Sequence, residues 1–123
     1  MENISDSQPP PTKLRLQLSG EASVNQSSTV GVYSLQSSLV NGFPYWKHDS
    51  SDKAIWMYGQ WKVGDNGNVE TGRCGIQGPY GIEEWPSNIS SKWKFVDTGK
   101  FQEAESSDIV FEDCSQKGNF TSL

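Results

Sequence analysis

The chain is short of the residues on which most catalytic and metal sites are built. It has a single histidine, His48, and two cysteines, Cys74 and Cys114, with no CxxC pair between them. Three such side chains cannot furnish the four ligands of a structural zinc site, so no metal is expected. Long apolar runs are also missing. Nothing is long enough to span a bilayer, and no charged-then-apolar leader follows Met1. The expectation is a cytoplasmic protein if the chain is complete, and an extracellular one if it is excised from a longer secreted protein. Aliphatic residues are scarce, since Leu, Ile, Val and Phe together number 25 of 123. That is close to the level at which a chain fails to build a core. Basic residues are fewer than acidic ones, 10 against 15. The middle of the chain is nonetheless balanced, and the acidic excess lies in Glu103, Glu105, Asp108, Glu112 and Asp113. A neutral body with an acidic end lacks the footprint that displaces counterions from phosphates, so nucleic acid is not an expected partner.

Aromatic side chains supply what the aliphatics do not. Five Trp and four Tyr add large apolar area per residue, and a charged fraction of only 20% leaves little self-repulsion. Their arrangement is that of strands. Leu14, Leu16 and Leu18 alternate with Lys13, Arg15 and Gln17, a period of two that puts three leucines on one face. Further strands are expected at 30–35, 43–48, 53–58, 60–63, 92–96, 100–104 and 108–113, separated by Gly, Pro and Asn punctuation. Asn41-Gly42 and Asn66-Gly67 are pairs that close tight turns, because both residues tolerate positive φ. Pro44 suggests an edge strand. Residues 19–29 read as a loop. No window sustains helical periodicity. The fold class is therefore all-β, a small sandwich or barrel of about eight short, mostly antiparallel strands. The domain spans 13–113, with a disordered, proline-ended arm at 1–12 and a flexible tail at 114–123. The arm has no PxxP spacing, so nothing specific marks it as an SH3 ligand.

The run GVY…VNGFPYWKH…IWMYGQWKVGDNGN…KWKFVDTGKFQE…DIVFED resembles an unnamed Gly/Trp/Tyr-rich β-module that recurs in multidomain eukaryotic proteins. Its members read as NGxPxYK, then GxWxxG, then a late WxVxD. The likeness covers roughly residues 30–113 and implies a recurring fold unit suited to binding, with no activity attached.

Several constellations contain the right letters for chemistry. His48 stands beside Asp49, Ser50, Ser51 and Asp52, but a Ser-His-Asp triad converges from separate elements, and no nucleophile turn is present. Glu83 and Glu84 are neighbours that an extended chain points to opposite faces. Asp65, Asn66, Asn68 and Glu70 carry calcium-type oxygens without the spacing of an EF-hand. Gly72, Gly75 and Gly78 are not followed by a helix that could hold a phosphate. No catalytic residue and no cofactor is expected. Cys74 and Cys114 either pair or remain two idle thiols, and sequons begin at Asn3, Asn25, Asn88 and Asn119. The functional expectation is a non-catalytic interaction module with an exposed aromatic face built from Tyr45, Trp46, Lys47, Trp56, Tyr58 and Trp61. Its ligand is a protein partner, with carbohydrate as the alternative and a glycan-acting hydrolase behind both. Thr121, Ser122 and Leu123 match the terminal pattern of a PDZ ligand.

Overall fold

A computed structural model of the chain describes residues 8–81 and 84–115. Its strands are β1 (Lys13–Leu18), β2 (Gly31–Val40), β3 (Phe43–His48), β4 (Lys53–Met57) and β5 (Trp61–Asp65), followed by β6 (Ile76–Gln77), β7 (Lys94–Asp97), β8 (Lys100–Glu103) and β9 (Ile109–Asp113). They form one antiparallel sheet in the order β8-β7-β6-β5-β4-β3-β2-β1-β9. Eight strands thus meander in chain order, and the ninth returns to pair with the first. The sheet curls into a half-barrel, which realises the barrel side of the all-β expectation.

Period-two patterning explains the curl. Cross-strand register lines up Leu35, Trp46, Ile55, Val63, Ile76 and Phe95 in one row across six strands. Leu14 faces Tyr33 on one side, and Leu16 faces Phe111 on the other. One face of a single sheet therefore carries the large apolar side chains. Bending it around them is how so few aliphatics make a closed core. Five aromatic side chains interlock in that interior. Trp46 lies edge-on to Trp61 and Trp85 at centroid distances of 5.6 and 6.1 Å, and Trp93 packs on Phe111 at 4.5 Å.

Turn chemistry sets the register. Asn41 and Gly42 have φ of 56° and 84°, the positive values that a two-residue type I′ hairpin needs between β2 and β3. Thr98 and Gly99, at 52° and 83°, do the same between β7 and β8. Asn66-Gly67 behaves differently from its sequence expectation. It opens a 3-10 turn at Asn66–Asn68, and the chain to Gly75 folds back over the outer face of the sheet. This excursion leaves only Ile76 and Gln77 in the ladder between β5 and β7.

Other expectations are also revised. Residues 19–29 contain a short helix, α1 (Gly20–Asn25), and a 3-10 turn, Ser27–Thr29, too brief to show helical periodicity. Pro44 lies in an interior strand rather than at an edge. Val40 and Phe43 close the hairpin, so the next pair, Leu39 and Pro44, turns its amides away from the partner strand. On the far side, the β3–β4 ladder involves only Trp46 and Lys47, so the missing amide breaks no rung. The arm differs most: Gln8–Thr12 is fastened to the barrel, and Pro11 is buried. Among the described residues no helix is long and apolar enough to cross a membrane.

Candidate functional site

The tryptophans that sequence patterning assigns to an exposed platform are all buried, none more than 2% accessible. Trp46 and Trp61 fill the barrel interior. Trp56 does point to the outer face, as the alternation in IWMY requires, but the 66–75 loop covers it. A Cβ on Gly64 would lie 3.1 Å from Cys74 Cα and 3.3 Å from the Trp56 ring, so chain, ring and strand are in close contact there. Lys62 is buried on the same face, its Nζ 3.0 Å from Gln77 Oε1. Of the six expected site residues, Tyr45 and Lys47 are half-buried, and only Tyr58 is well exposed, at 46%. The aromatic face does not exist as a contiguous surface. In a chain poor in aliphatics the rings are consumed as core.

Each buried indole needs an acceptor for its N–H. The five acceptors follow one rule, since every one is a main-chain carbonyl outside the strands. Trp46 Nε1 donates to Pro11 O at 2.8 Å, Trp56 to Thr71 O at 3.1 Å and Trp61 to Glu84 O at 2.6 Å. Trp85 donates to Gln8 O at 3.3 Å and Trp93 to Ile89 O at 2.9 Å. The tryptophans thus form the core and also fasten the loops and the arm that close the half-barrel's openings.

A concavity lies where the arm is fastened. It is a groove of about 860 Å³ between β9 and residues 8–12, with Trp85, Ser87 and Asn88 at its side. β9 is an edge strand, and its ladder to β1 is bracketed by Ser19 N to Asp108 O and Cys114 N to Lys13 O, both 3.0 Å. Antiparallel bonding alternates, so Val110 and Glu112 bond to β1, while the main chain of Phe111 faces away from it, toward the groove. The side chains of Val110, Gln17 and Glu112 line the wall on the outer face, and Glu112 meets Arg15 at 3.3 Å. On the opposite wall Asn88 Nδ2 lies 2.5 Å from Gln8 Oε1. The groove therefore offers a strand edge, a row of prolines and polar groups that include the carboxylates of Glu112 and Asp113.

The remaining candidate residues do not converge. His48 uses both ring nitrogens on the main chain, Nε2 at 2.8 Å from Val30 O and Nδ1 accepting from Ser50 N at 3.0 Å. Asp49 instead accepts from Ser34 Oγ at 2.5 Å and pairs with Lys13 at 3.2 Å; the Ser34 bond first and Lys13 second hold its carboxyl below the ordinary carboxylate value. No triad is assembled there. Asp65 is paired with Lys53 at 2.7 Å, and no group of three or more His, Cys, Asp or Glu among the described residues could hold a metal. Cys74 and Cys114 are free thiols. Cys74 sits over β5 and Cys114 follows β9, with four strands between them in sheet order, so a bridge between them is not made. Burial pushes the Cys74 thiol up. Asn25 and Asn88 are exposed, while Glu83, Asn3, Asn119 and the 121–123 terminus lie outside the described residues.

No family model, curated protein or solved structure matches the chain. The site therefore stands on its own geometry. Sequence reasoning missed it because its walls come from the arm, the Pro86–Asn88 turn and β9, roughly a whole chain apart. The one signal available was the triproline itself.

Proposed function

We propose that this domain is a non-catalytic interaction module that binds an extended segment of a partner protein in the groove between β9 and residues 8–12. The observation that carries the reading is the pairing of a strand edge with an open groove of about 860 Å³. An incoming chain could satisfy outward-facing main-chain groups there while its side chains find Trp85 and the prolines. The resemblance of residues 30–113 to a recurring β-module is in keeping with it. Selection of linear peptides from a random display library against the full chain is the test. Binders should perturb amide resonances of Val110–Asp113, and Val110→Arg should weaken them at least tenfold. A library without enrichment, or binders that leave β9 unperturbed, would overturn it.

A carbohydrate reading is favoured by a separate observation. Tyr58 and Tyr80 are 46% and 77% exposed near the β4–β5 turn, where the Tyr80 ring lies against Gly59. Exposed rings with polar neighbours can stack on sugars. A glycan array with the wild type and a Tyr58→Ala, Tyr80→Ala double variant tests this; a hit unaffected by the double variant refutes the assignment.

A further inference from the structure

The contacts at residues 8–11 have a geometry of their own. Trp46 and Trp85, whose rings are 6.1 Å apart, hold the carbonyls of Pro11 and Gln8. Those carbonyls are three residues apart. A polyproline II helix repeats every three residues, so carbonyls at i and i+3 point the same way. The three residues that follow Gln8, namely Pro9, Pro10 and Pro11, have a preset φ and no N–H. The segment thus presents acceptors without donors, to two indoles that present donors. Asn88 adds a side-chain contact to Gln8. Aromatic surface with N–H groups reading backbone carbonyls at a three-residue spacing is the physical basis of proline-rich recognition, in which a low-entropy ligand is already extended.

We infer that the Trp46–Trp85 surface is a proline-recognition site, occupied in the free domain by the chain's own Gln8–Pro11, and that a proline-rich segment of another protein takes the same place by displacing it. This rests on the interaction-module reading above and narrows the partner to one chemistry. The seated segment itself identifies the ligand class, and the adjoining groove gives room for residues flanking the displaced prolines. Because the arm is tethered, it competes at a high effective concentration. Apparent affinity for a ligand in trans is reduced by the fraction of molecules in which the arm is released.

Loosening the arm should therefore strengthen binding in trans. The probe is an acetylated peptide of residues 5–13, SDSQPPPTK, with an SDSQAAATK control, titrated into the full chain while the five indole N–H resonances are followed. In the wild type the peptide should bind weakly and shift the Trp46 and Trp85 indoles, leaving Trp56 on the outer face unmoved. The Pro9→Gly, Pro10→Gly, Pro11→Gly variant frees the arm by roughly two- to five-fold per position, so peptide affinity should rise on the order of ten- to hundred-fold. Gln8→Ala removes only the Asn88 contact and should give a gain of a few-fold, which keeps the test open if the triple variant fails to fold. Equal binding of the control peptide, or no gain in either variant with both indoles unmoved, would show that the arm is a fixed part of the core and overturn the inference. If library peptides still perturb β9 in that case, the module reading stands; if none does, both fall.

Discussion

Trp56 separates a covered outer face from an exposed aromatic platform, and replacing it by Ala tests the difference directly. The ring is fully buried against Gly64 and the 66–75 loop, and its N–H bonds Thr71 O. A buried aromatic removes roughly 150–250 Å² from water, worth about 4–6 kcal/mol at 25 cal/mol per Å². That figure is an upper bound, because the unfolded chain already hides part of the area. Measured Trp-to-Ala losses in cores, about 3–5 kcal/mol, set the expected size. Trp56→Phe keeps most of the packing and gives up the bond to the Thr71 carbonyl, which lies on an exposed residue and can turn to water, so about 0.5–1.5 kcal/mol is expected from that variant. Urea unfolding followed by circular dichroism gives both values. A local readout accompanies them, since Arg73 is already exposed and releasing the loop frees the main chain around it, which should make the bond after it the first tryptic cut. A loss under about 0.5 kcal/mol for Trp56→Ala, the size typical of surface positions, would refute the packing described here.

Gly31→Ala should be strongly destabilising, because φ at Gly31 is 138° and a Cβ would stand 2.4 Å from His48 Nε2; the backbone strain alone is worth about 1–3 kcal/mol, and an unchanged thermal midpoint would contradict it. Asp49, with its carboxyl held low by Ser34 and Lys13, lends stability above its ordinary pKa of 3.8 that disappears as pH falls through the lower folded value. Acid unfolding of Asp49→Asn should accordingly be less steep than that of the wild type. Burial raises the Tyr33 phenol, whose hydroxyl donates to Thr29 O at 2.6 Å, so its contribution is intact below pH 10 and declines as pH rises beyond its ordinary value of 10.0. An alkaline limb of the stability profile that is the same in Tyr33→Phe would dispose of that origin. With both thiols free, reductant should leave the unfolding midpoint unchanged, whereas a Cys74–Cys114 bridge would cost roughly 4 kcal/mol on reduction in the loop-entropy model; alkylation at neutral pH should find Cys74 slow, its thiol being raised by burial.

Strand identity was legible in the chain because it is written locally. Leu14, Leu16 and Leu18 alternate with polar residues, Ile55 and Met57 oppose Trp56, and Asn41-Gly42 marks its own turn through its tolerance of positive φ. Those short-range facts settle an all-β fold and most strand positions. They do not settle which rings are exposed. Alternation put Trp56 on the outer face, correctly, but accessibility there depends on whether another segment lies over it, and the covering loop is held through Thr71, 15 positions away. The arm shows the same limit more strongly. Its composition is that of a chain unable to bury surface by itself, yet Gln8 and Pro11 are bound by indoles 77 and 35 positions away. Tertiary structure alone brings those donors together, because only the curl of the sheet sets Trp46 beside Trp85 and leaves both N–H groups to be satisfied at the same opening.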